Sequence, residues 1–183
     1  ATVNEEFSTM AGIYDLQEFL NVLGLVDKPS VSFGEDNIYI GGNAGRAIVK
    51  YYYADPEILT TPTKPITMPE EDVWFTLDET TVNGIKKAAA IFGHSQMLVE
   101  ADSGAIKLSV VDPDNSTANQ YSITVDGGYN NESFKFIINI ANLKMVQGTY
   151  NVKISKKLIS QFTSEDSNII YWIALEKSST YGE

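Results

Sequence analysis

The residues able to do chemistry are few. The chain has one histidine and no cysteine, so disulfide frameworks and thiolate metal sites are excluded. His94 follows a glycine, where an imidazole commonly caps a helix end. A Ser-His-Asp hydrolase would have to use it, yet no GxSxG nucleophile elbow exists. DPDNS (112–116) alternates oxygen ligands like part of a calcium loop, but lacks the glycine and distal glutamate at the required spacing. It reads as a hairpin turn. DGGYNN (126–131) is followed by no Gly-Lys-Ser/Thr, so it is a connection between strands rather than a phosphate loop. No acidic pair stands out in an apolar setting. The expectation is a protein without catalysis, cofactor or metal.

Charge is the remaining signal. The 183 residues carry 24 acidic against 13 basic side chains, a formal net charge of -11. Such a chain does not coat nucleic acid with its whole surface, although a local basic patch stays open. Lys86 and Lys87 stand together, and Lys144 lies near the end of the apolar run FKFIINIANLKM (134–145). A solvated polar face is the plainer reading of such lysines.

The elements that must position them follow from apolar periodicity. TVNEEF (2–7) alternates weakly like a strand. Asp15 can cap a helix to about residue 26, with Leu16, Phe19, Leu20 and Leu23 on one face. SVSF (30–33), NIYIG (37–41) and AIVKYYY (47–53) read as strands. ADPEILTTPTKPITMP (54–69) has four prolines and no helical period, so it reads as an interdomain connection.

After it, DVWFTL (72–77) is a strand. Asp78 or Thr80 caps a helix to about Phe92, with Val82, Ile85, Ala89 and Phe92 buried and Gly93 as the stop. Strands MLVEA, IKLSVV and QYSITV follow. FKFIIN then begins a third series: a short helix near 140–146, with Ile140, Leu143 and Val146 facing inward, and strands TYNVKI, LISQFT and IIYWIAL. The order β-α-β-β-β thus occurs three times. It predicts a partial domain over 1–53 (the second half only), a connecting loop over 54–69 and a complete domain over 70–183.

Four stretches carry a resemblance: IYDLQEFLNVLGLV (13–26), ADPEILTTPTKPITMP (54–69), FKFIINIANLKMVQGTY (134–150) and IIYWIALEKSST (169–180). In this order they resemble the DNA sliding clamps, the polymerase processivity factors, of T-even-type bacteriophages. The resemblance implies an α+β DNA-clamp fold of repeated β-α-β-β-β units, with sheets outside and helices lining a hole. It also implies one further unit at the N-terminus, so the chain reads as N-terminally truncated.

The resemblance implies three surfaces. Lys86, Lys87 and Lys144 would face double-stranded DNA held topologically and without sequence preference. Helix 15–26 departs from a basic lining, since it has no basic residue and carries Glu18. Ile58, Leu59, Pro62, Ile66, Ala174 and Leu175 would border an interdomain pocket for peptides of DNA polymerase and clamp loader; the plainer reading is that they hold the loop to the domain. Tyr51 and Tyr121 would mark strand edges that pair between subunits of a homotrimer in the full-length protein, or pair within the chain. The expected setting is the bacterial host's cytoplasm, neither secreted nor in a membrane. A β-rich phage tail or capsid protein is the competing expectation.

Overall fold

Alternating apolar positions build the strands of the structure, a computed structural model that describes residues 10–42, 47–60, 64–115 and 117–182. The chain divides into two compact units that meet at Pro65 and Ile66. TVNEEF and Pro62 lie outside the described residues.

In the first unit, helix α1 (Leu16–Gly24) starts where the Asp15 side chain accepts the Glu18 N–H at 2.9 Å. It precedes an antiparallel sheet of β1 (Ser30–Phe33), β2 (Asn37–Gly41) and β3 (Ile48–Tyr52) in that order. The small core is Val26, Ile38 and Ile40, covered by Phe19, Val22 and Leu23 of the helix. Leu16 and Leu20, on the same apolar face as Phe19 and Leu23, are 61% and 50% exposed. A three-stranded sheet is only about 10 Å from first strand to last, roughly one helix diameter. It cannot cover the whole apolar stripe of α1.

The second unit has two five-stranded sheets and one long helix. The chain runs β4 (Val73–Leu77), α2 (Glu79–Phe92), β5 (Gln96–Asp102), β6 (Ala105–Val111), β7 (Tyr121–Val125) and β8 (Gly127–Tyr129). It continues through β9 (Phe134–Asn139), β10 (Tyr150–Ser155), β11 (Ile159–Ser164), β12 (Ile170–Ala174) and β13 (Thr180–Tyr181). The sheet orders are β12-β11-β10-β4-β8 and β13-β9-β5-β6-β7. The leading strand of each repeat therefore joins the other repeat's sheet. β4 pairs with β10, with Leu77 opposite Tyr150, and β9 pairs with β5, with Asn139 opposite Gln96. The short strands β8 and β13 close the outer edges of β4 and β9 in the same way.

Inward residues of both sheets form one core, with Ile85, Ala88 and Ala89 of α2 against it. Phe134, Phe136 and Ile138 are buried as their alternation requires. Gly93 ends α2 in the left-handed conformation, φ 73°, with its N–H on the Ala89 carbonyl.

Two expectations are corrected. The GGY of DGGYNN is itself a strand, because Gly127 brings its backbone against β4. A Cβ there would lie 2.3 Å from the Trp74 carbonyl oxygen and 2.6 Å from the Phe75 Cβ. The second repeat's helix is only a 3-10 turn, Ile140–Asn142, capped by the Asn139 side chain at 3.0 Å from the Ala141 nitrogen. Leu143 is buried but leaves helical geometry at φ -80°, ψ 37°, and Val146 is 59% exposed rather than in the core.

Two outcomes test this account. Gly127→Ala should destabilise the protein by about 1–3 kcal/mol in urea unfolding, because β8 must move off β4. Asp78 accepts the Thr81 N–H at 2.6 Å, and that backbone bond holds its carboxyl below the usual range. A lowered folded-state value stabilises the fold above the unfolded value, and the benefit disappears as pH falls through the folded one. Asp78→Ala should therefore cost about 1 kcal/mol at neutral pH and distinctly less once pH has fallen through the folded-state value.

Candidate nucleic-acid interface

The lysines follow from how α2 and the segment after β9 are held. On α2, the buried side carries Val82, Ile85 and Ala89, which turns Lys87 to solvent and leaves Lys86 half-buried. Lys86 lines a small hollow with Glu79, Asn83, Met145, Val146 and Gln147. Lys144 is exposed and borders a neighbouring shallow hollow with Asn142, Tyr171, Trp172 and Ala174. The fold thus sets Lys86 beside the segment that carries Lys144.

Their electrostatics differ from those of three lysines in or beside the sheets. On β6, Lys107 pairs with Glu100 at 2.9 Å, directly across the ladder on β5. On β10, Lys153 pairs with Glu71 at 2.5 Å. Lys156, in the following turn, pairs with Glu70 at 2.8 Å. Among the described residues, Lys86, Lys87 and Lys144 form no ion pair. An unpaired ammonium remains available to a mobile anion, whereas a paired one must first give up its carboxylate.

The segment bearing Lys144 is fixed by groups that the sequence did not advertise. The Tyr150 hydroxyl donates to the Val146 carbonyl at 2.5 Å, and the Val146 N–H donates to the Tyr171 hydroxyl at 3.2 Å. Burial, followed by the neighbouring Tyr171, pushes the Tyr150 hydroxyl above the ordinary tyrosine value, so it stays a donor at neutral pH. Each tyrosine lies in an apolar strand and reads as core until its hydroxyl's partner is seen. The only sequence hint is that a buried tyrosine needs a partner at all.

The aromatic edge residues turn inward. Tyr51 packs edge-on to Phe19, with ring centroids 5.2 Å apart. Tyr121 reaches α2, where its hydroxyl lies 3.0 Å from the place a Cβ on Gly84 would take. What β3 and β7 offer outward is backbone, since each ends its sheet with one hydrogen-bonded neighbour.

The expected pocket residues are unequally available. Ile58, on a 3-10 turn at Pro56–Ile58, and Ile66 are exposed, and Leu59 is half-buried. Ala174 is exposed, whereas Leu175 is a core residue whose N–H bonds the Leu158 carbonyl. His94 is occupied structurally, with Nε2 donating to the Asn119 carbonyl at 2.8 Å. Asp112 and Asn115 fold back onto the backbone N–H groups of Asp114 and Thr117.

A family profile described as gp45 sliding clamp, C terminal, matches residues 69–177. The sliding clamp of Vibrio phage KVP40 is 31% identical over 96% of this chain and 80% of its own length. That of Enterobacteria phage T4 is 30% identical over 99% of this chain and 81% of its own. Among solved structures, the pol III beta of Caulobacter crescentus superposes with a TM-score of 0.58 at 14% identity, over 88% of this chain and 45% of that one. The beta subunit from the DNA polymerase of Streptococcus pyogenes gives 0.55 at 14%, over 82% and 42%. At such identities these last two speak for the fold alone. The crossed repeats, the matched profile and the phage relatives together place the chain in the family of the phage sliding clamps.

Proposed function

We propose that the chain works as a processivity factor for a DNA polymerase. It holds duplex DNA by enclosure rather than by reading bases, and performs no catalysis itself. Membership of the sliding-clamp family supports this reading. The observation that carries it to particular residues is the placing of Lys86 and Lys87 on α2 beside the segment that carries Lys144, all three outside the ion pairs of a chain of net charge -11. Loose phosphate contacts permit sliding, whereas base contacts would arrest it. An acidic remainder disfavours DNA elsewhere on the surface.

The reading extends to assembly and partners. The backbone edges of β3 and β7 suit pairing between copies in a trimeric ring. Exposed Ile58 and Ile66 suit apolar anchors of polymerase and clamp-loader peptides. The site of action is the cytoplasm of the infected bacterium. A phage structural protein, the competing expectation, finds no support in the family found.

Charge reversal tests the reading. Replacing Lys86, Lys87 and Lys144 together by glutamate should change stability by no more than about 0.5 kcal/mol per site, as surface substitutions do. The same variant should shorten products in primer extension on long circular templates with cognate polymerase and loader. Unchanged product lengths would remove the three lysines from the DNA contact. For the full-length protein, sedimentation over a concentration series should show trimer, and monomer at every concentration would refute the ring.

A further inference from the structure

The geometry points to Tyr150 and Tyr171 as positioning residues that hold Lys144 ready for a phosphate. This rests on the nucleic-acid reading of Lys144 and goes beyond it by naming what sets the lysine in place. The first repeat presents Lys86 and Lys87 from fourteen residues of helix, α2, whose internal hydrogen bonds fix the backbone. The second repeat has only three residues of 3-10 turn before Leu143. Residues 144–149 have no helix to hold them, so their backbone must be fixed from outside.

Three anchors do so. Leu143 is fully buried. Val146 is held on both sides of its backbone, the carbonyl by the Tyr150 hydroxyl and the N–H by the Tyr171 hydroxyl. Thr149 passes its carbonyl to the Glu165 N–H at 2.9 Å. The two rings meet edge to face, with centroids 6.0 Å apart, so each braces the other. Tyr150 is itself nearly inaccessible, which fixes its hydroxyl in one place. Lys144 lies between the first two anchors, with the exposed Val146 side chain beyond it. Its side chain is free while its backbone is not. That combination limits the entropy lost when the ammonium meets a phosphate, yet leaves it mobile enough not to stall a sliding duplex.

The test is a cycle of Tyr171→Phe and Lys144→Gln in the whole chain, read by binding to a linear DNA duplex at low salt and by amide exchange. Tyr171→Phe deletes the acceptor of the Val146 N–H, so exchange at that amide should rise by about three- to tenfold while Val152 and Phe162 in the strands stay protected. Lys144→Gln should weaken DNA binding about two- to fivefold, and Tyr171→Phe should weaken it by a smaller factor. In the Lys144→Gln background the tyrosine change should have no further effect, which a merely structural role would not produce. Tyr150→Phe gives a second, independent arm with the same expected pattern. Equal losses in both backgrounds, or no loss from either tyrosine change while Lys144→Gln weakens binding, would overturn the positioning role and spare the DNA reading. No loss from Lys144→Gln, Lys86→Gln or Lys87→Gln would overturn the DNA reading, and the positioning role with it.

Discussion

The exchange of leading strands between the two repeats is the constraint on which the second unit depends. β4 begins one repeat but completes the sheet of the other, and β9 does the reverse. Neither repeat can close a core alone, because each lacks the strand its partner holds. Asp72 guards the crossing. It is fully buried just before β4 and accepts the Lys156 N–H at 2.8 Å, with the Lys156 ammonium 3.6 Å away. A buried carboxylate is tolerated only when so met, which ties the entry of β4 to the turn between β10 and β11. Tyr181 of β13 leans on the same place through Asp72 and stacks on Phe136.

Among its described residues, the first unit sets one helix on three strands. Its three strands bury Ile38 and Ile40 but leave Leu16 and Leu20 largely in water. The apolar stripe of α1 is as regular as that of α2. The difference lies in what each helix has to lie on.

The fold neutralises some lysines and leaves others unpaired. Lys107 meets a carboxylate across its ladder and Lys153 meets Glu71 just before β4, so both are spent on the sheets. Lys86, Lys87 and Lys144 meet none among the described residues, and two different devices hold them, a helix for the first pair and tyrosine hydroxyls for the third. A helix orients side chains through its own hydrogen bonds. A segment of six residues after a single 3-10 turn cannot, and borrows its order from neighbouring strands.

Much was legible in the sequence. Local periodicity determined most strand positions, the span of α2, the inward set Phe134, Phe136 and Ile138, and the β-α-β-β-β order from β4 to β7, because each depends on residues only a few positions apart. The resemblance of four stretches then placed the chain in its family. Tertiary structure alone decided the rest. It shortened the second repeat's helix, since Val146 gives its backbone to tyrosines of β10 and β12. It made a strand of Gly127–Tyr129 because two glycines permit an approach to Trp74 and Phe75. It uncovered Leu16 and Leu20, and turned Tyr51 and Tyr121 inward. Each of these outcomes depends on partners distant in the chain, whose meeting no local period encodes.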